Sequence, residues 1–71
     1  MDFIEEKEAS KRIKSLRALK GFTQKEMADK LGISRKIYNR YENSPYGVPI
    51  EKLEPVAKIL DCKVGDFFVA L

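Results

Sequence analysis

Three residues, Gly32-Ile33-Ser34, are all that the chain provides in which to end one helix and begin another. Upstream of them, Thr23-Gln24-Lys25-Glu26 reads as a capping box. The Thr23 hydroxyl accepts from the Glu26 N–H, and the Glu26 carboxylate reaches back to the Thr23 N–H. A helix is therefore expected over 24–31, with Met27, Ala28 and Leu31 on its inner face. Gly32 takes the positive φ that stops it, and Ser34 is a good N-cap for a helix running from Arg35 to Glu42 or Asn43. So short a connection forces the two helices to cross steeply instead of lying antiparallel. Ala28 falls where the axes come closest, where only a small side chain fits, and Ile33 fills the wedge between them.

The rest of the chain supplies the walls of this corner. Ala9, Ile13, Leu16 and Leu19 recur at helical spacing and predict a helix over 9–20, ended by Gly21. Residues 43–49 are dense in turn formers. Leu53, Val56, Ala57 and Leu60 predict a fourth helix. A proline costs little in a first turn but about 3 kcal/mol in a helix interior. With Pro55 in this stretch, regular helix is expected only from residues 52–54 onward, entered through an irregular turn at 49–51. A last short helix is expected over 64–70, carrying Phe67 and Phe68. No segment alternates with the period of a strand. The expected fold class is all-α, a compact five-helix bundle forming one domain over residues 9–71. Residues 1–8 precede it as an acidic arm or helix extension, with Phe3 and Ile4 its apolar anchors.

Composition narrows the functions open to such a domain. A chain of 71 residues buries only about 60% of its unfolded surface, so its core is small. It has no His, which removes the usual acid–base catalyst and metal ligand. A single cysteine, Cys62, forms neither an internal disulfide nor a Cys-rich zinc site. There is no nucleophile–base pair and no glycine loop to cradle a phosphate, so no enzymatic activity, cofactor or metal is expected. No apolar run approaches the roughly 18 residues that would span a bilayer. The acidic start, Met1 to Glu6, lacks the pattern of a signal peptide. The expected compartment is the cytoplasm, for a bacterial or phage-encoded protein associated with the nucleoid.

The net charge of +3 hides an asymmetry. Residues 9–40 carry Lys11, Arg12, Lys14, Arg17, Lys20, Lys25, Lys30, Arg35, Lys36 and Arg40 against only Glu26 and Asp29. Both flanking segments are net acidic. Such a block is the footprint of a polyanionic partner, or else a solvated helical surface. On the third helix the periodicity puts Ile37, Tyr38 and Tyr41 on one side and Arg35, Lys36, Asn39 and Arg40 on the other.

Leu16-Arg17, Gly21-Phe22-Thr23-Gln24, Met27 through Ser34, Tyr41-Glu42, Leu53, Val56 through Leu60 and Phe67-Phe68 together resemble the Cro/phage-repressor, or Xre-like, helix-turn-helix family. The resemblance spans about residues 9–70. It implies a five-helix bundle whose third helix enters the major groove of double-stranded DNA. It also implies that Gln24 bonds the DNA backbone from a helix N-terminus, where free N–H groups and the dipole favour an anion. Ser34, Arg35, Lys36 and Arg40 match groove-facing positions, with Asn39 beside them. Arg and Lys favour guanine and Asn favours adenine, while Lys36 and Arg40 have phosphate as an alternative target. Arg17 and Glu42 match a pair that joins the first and third helices, Arg17 with a phosphate as a second target. Cys62 falls at an apolar position.

Some residues depart from the pattern. Tyr38 stands where a β-branched aliphatic residue is usual, so the packing beneath the third helix must differ. The loop after that helix lacks the basic residues that often touch phosphate, and Lys63 replaces a Ser-like cap. The function implied is a sequence-specific DNA-binding regulator, a repressor that binds a palindromic operator as a homodimer. The expected dimer contact uses the 45–48 loop with Phe67, Phe68 and Leu71. The alternative is an antitoxin or adaptor whose main partner is another protein.

Overall fold

In the computed structural model, which describes residues 3–69, five α-helices follow one another. They are α1 Glu6–Lys20, α2 Gln24–Leu31, α3 Arg35–Asn43, α4 Ile50–Ile59 and α5 Gly65–Phe68, with a single 3-10 turn, Pro45–Gly47, between α3 and α4. The all-α expectation holds, and no strand forms among the described residues. Phe3 and Val69 make one isolated antiparallel bridge.

The same backbone device ends α1, α2 and α4. After α2, Gly32 adopts φ 69°, its N–H bonds the Asp29 carbonyl, and the Ile33 N–H reaches back to Ala28. This is a Schellman closure, which satisfies two carbonyls that the helix leaves unpaired. Gly21 and Phe22 repeat it at the end of α1. At the end of α4 the left-handed position belongs to Asp61, at φ 56°, and the Cys62 N–H bonds the Ala57 carbonyl. Asp tolerates this region better than most side chains, and Asp61 also pairs with Lys20 of α1.

Several boundaries differ from the sequence reading. Helix α1 starts at Glu6, not residue 9, because Glu6 and Glu8 in its first turn complement the positive end of the helix dipole. Helix α4 is regular from Ile50, not from residues 52–54. Pro49, at φ −57° just outside the helix, offers its carbonyl to the N–H groups of Lys52 and Leu53, so this proline begins the helix in place of the expected irregular turn. Pro55 then lies within α4 on its exposed side, where its missing N–H removes one helical hydrogen bond. Helix α5 is only Gly65–Phe68, shorter than the expected 64–70. Val69 turns to an extended conformation and pairs with Phe3, while Ala70 lies outside the described residues. Val64 takes the N-cap position of α5 with no side-chain cap bond, and Asp66 accepts the N–H of Lys63 just before it at 3.0 Å.

The core is shared by all five helices: Ile13, Met27, Ala28, Tyr38, Val56, Ala57, Leu60 and Phe67 form one buried cluster. Leu16 and Leu31 pack half-buried against it, as does Cys62, whose thiol is pushed up in pKa by that burial. Two apolar residues leave the expected pattern. Leu19 is 83% exposed, since at 3.6 residues per turn it is rotated by about 120° from Ile13. Ile37 sits at the exposed margin of α3.

The two ends of the described segment are clasped together. Arg12 Nη1 donates to the carbonyls of Asp66 and Val69, each at 2.8 Å. The Ile4 N–H bonds the Phe68 carbonyl. Tyr46 donates its hydroxyl to the Ile4 carbonyl and its N–H to Glu6, with its ring 5.2 Å from that of Phe68.

Candidate nucleic-acid interface

The corner between α2 and α3 is built from backbone closures and one small side chain. Ala28 is buried at the contact, the Ile33 side chain is half-buried against the core, and the Ser34 hydroxyl accepts the Ile37 N–H at 3.1 Å. Thr23 and Glu26 form both halves of the capping box that starts α2. The bonds from Thr23 hold the Glu26 carboxyl below its usual pKa. Ser34, expected to face a groove, is thus exposed but uses its oxygen as the α3 cap.

Internal partners sort the cations. Lys11 pairs with Glu8, Lys20 with Asp61 and Lys25 with Asp29. Arg12 is engaged by the C-terminal carbonyls and Arg17 by Glu42. Lys30 lies 4.8 Å above the Phe22 ring, within cation–π range. Arg35, Lys36 and Arg40 have no ion pair or side-chain hydrogen bond among the described residues, and all three are exposed. Lys14 on α1 shares that status. Asn39 is exposed beside the three α3 cations. Three cations without partners therefore sit together on the outer face of α3, the face that the sequence periodicity marks.

Beneath that face lies a buried carboxylate. Glu42 has no exposed surface and accepts from four donors. Arg17 approaches through Nε, and through Nη2 at 3.4 Å. Tyr38 Oη donates at 2.8 Å and Gln24 Nε2 at 3.0 Å. The expected pair of Arg17 and Glu42 is formed, and Arg17 Nη1 also donates to the Phe22 carbonyl at 2.8 Å. The hydrogen bond to Glu42 raises the Arg17 pKa further above its already high value. Burial, then Glu42, pushes the Tyr38 phenol well above its usual range. The Tyr38 hydroxyl supplies a donor that Ile or Val would lack at this position, and no buried side-chain polar atom among the described residues is left unsatisfied.

Two candidates take part in this network. Arg17, expected to reach outward as well as to pair, turns its guanidinium inward, with 18% of its side chain exposed. Gln24, expected to face a DNA backbone, has its carboxamide between Glu42 and Asn39, whose Nδ2 donates to Gln24 Oε1 at 3.3 Å. Both residues still border an open cleft of about 540 Å³ shared with Thr23, Lys25 and Arg35. One residue escaped the sequence reading. Asn43, one helical turn beyond Asn39, donates to the Asn39 side chain at 3.0 Å and to its carbonyl at 2.9 Å. The i, i+4 spacing from Asn39 was the available signal.

The expected dimer surface is corrected in part. Phe67 and Pro45 are fully buried in the chain's own core, so neither is available to a second copy. Tyr46 is 46% exposed and Phe68 is half-buried. Leu71 lies outside the described residues. No helix among the described residues is long and apolar enough to cross a membrane.

A family model described as Helix-turn-helix matches residues 13–67. An uncharacterized HTH-type transcriptional regulator of Methanocaldococcus jannaschii is 33% identical over 58 residues, which cover 82% of this chain and 88% of that protein. No solved structure matches at a comparable level. With a family match running from α1 through α5 and the corner at its centre, the chain belongs to the helix-turn-helix family of the Cro and phage-repressor type.

Proposed function

We propose that the protein is a sequence-specific double-stranded-DNA-binding transcriptional regulator, a repressor that binds a palindromic operator as a homodimer with α3 in the major groove. The observation that carries this reading is the placement of Arg35, Lys36 and Arg40, exposed and without internal partners, on the second helix of a corner fixed by backbone closures. Arg and Lys reach guanine O6 and N7 in a major groove, or phosphates beside it. Ser34 keeps a hydroxyl proton to donate after capping, and Asn39 keeps part of its amide. The free N–H groups at the start of α2 suit a phosphate, with Gln24 and Lys25 beside them, and Arg17 acts by holding this end of the corner in place. One such domain makes few base contacts. Dimerisation through Tyr46 and Phe68 would add a second half-site about one helical turn away. The protein works in the cytoplasm.

The test is equilibrium binding to a random-sequence duplex over a series of salt concentrations. DNA binding predicts a log–log slope that steepens by about 0.9 for each phosphate neutralised. Replacing Lys36 or Arg40 by Ala shallows that slope where the side chain meets a phosphate. The slope stays unchanged, with affinity lost only for the cognate site, where it meets a base. Absence of any slope would point instead to an adaptor or antitoxin that acts through a protein partner.

A further inference from the structure

A ladder of amides climbs from the buried Glu42 to the middle of the exposed α3 face, and its direction is imposed from below. A carboxylate paired with arginine only accepts hydrogen bonds. Gln24 must therefore turn Nε2 toward Glu42, at 3.0 Å, which leaves its Oε1 for Asn39. Asn39 must meet that oxygen with Nδ2, at 3.3 Å, which sends its own Oδ1 the other way. There Asn43 Nδ2 donates to it at 3.0 Å, while also donating to the Asn39 carbonyl at 2.9 Å. One buried charge thus sets the orientation of every amide above it.

We infer that Asn43 is a positioning residue that acts with Gln24 to preset the Asn39 carboxamide for an adenine in the major groove. The inference rests on the DNA-reading function proposed above. After its two internal bonds, Asn39 retains one N–H and one oxygen lone pair on the same carboxamide. Adenine offers the matching edge, an acceptor at N7 and a donor at N6. Guanine presents acceptors at both N7 and O6, so one of the two Asn39 atoms always faces a like group. An unrestrained amide would have to be ordered on binding, at an entropic cost that the ladder removes in advance.

The experiment compares binding to a duplex enriched by selection from a random pool with binding to copies in which each adenine is exchanged for guanine. The proteins are the parent, Asn39→Ala, Asn43→Ala and the double variant. The ratio of the two affinities within one variant does not depend on how much of that protein is folded. The parent is expected to prefer adenine by about tenfold or more at one position of each half-site. Asn39→Ala abolishes the preference. Asn43→Ala lowers it several-fold without changing affinity for random duplex, and the double variant matches Asn39→Ala. The inference is overturned by an undiminished preference in Asn43→Ala, or by a double variant that loses more than Asn39→Ala alone. Salt-dependent binding with no adenine preference removes this inference and spares the DNA reading. No salt-dependent binding at all removes both.

Discussion

A phenol with no exposed surface needs an acceptor for its proton, and a buried carboxylate needs donors. Tyr38 and Glu42, four residues apart on α3, answer both needs, and Arg17 and Gln24 complete the shell. Removing one partner of such a group costs more than the pair contributes, because the other is left buried and uncompensated. Arg17→Ala is therefore expected to destabilise the fold by about 3 kcal/mol, a large share of what a domain of this size has to lose. A melting temperature within a degree or two of the parent would contradict the pairing. Tyr38→Phe removes a single donor and should cost about 1 kcal/mol. It should also change the alkaline limb of stability. The folded Tyr38 pKa is raised above its unfolded value, so its contribution is fully present below about pH 10 and declines above it, as the unfolded phenol ionises while the folded one stays protonated. Denaturant titrations above that pH should show a shallower decline for Tyr38→Phe than for the parent. Parallel declines would mean that Tyr38 is not held protonated.

The helices show which signals are local. Stops at Gly21 and Gly32, the capping box at Thr23 and Glu26 and the cap at Ser34 all satisfy backbone groups within a few residues of themselves, and the ends of α2 and the start of α3 were legible for that reason. Helix α4 runs from Ile50 to Ile59 despite its prolines. The notion that Pro55 excludes regular helix before residue 52 neglects that Pro49 pre-sets the first turn. Pro55→Ala restores an N–H to the interior of α4 and should raise stability by about 2 kcal/mol, the gain from the hydrogen bond being partly offset by a more flexible unfolded chain. Thermal melting checks this: a higher Tm is expected, and an unchanged or lower one would mean that the ring's own packing matters more than the missing bond. The length of α5 was not legible. Val69 leaves the helix to pair with Phe3, and Arg12 holds its carbonyl from 57 residues away in sequence.

At the scale of the molecule, cationic periodicity on α3 was readable, but which cations remain free was not. That sorting depends on partners brought in by the fold, such as Asp61 for Lys20 and the Phe22 ring for Lys30. It also hid the inward turn of Arg17 and Gln24, whose shared acceptor Glu42 lies 25 and 18 residues away. The result is a surface on which the outer helix of the corner carries three exposed cations side by side with no partner of their own. Selection of bound molecules from a pool of random duplexes tests that surface most directly. If α3 reads base edges in a dimer, one motif emerges as two inverted half-sites about 10–10.5 base pairs apart, centre to centre, and it vanishes when Arg35, Lys36 and Arg40 are all replaced by Ala. Recovery of sequences no different from the starting pool, or of the same motif from that triple variant, would contradict the account.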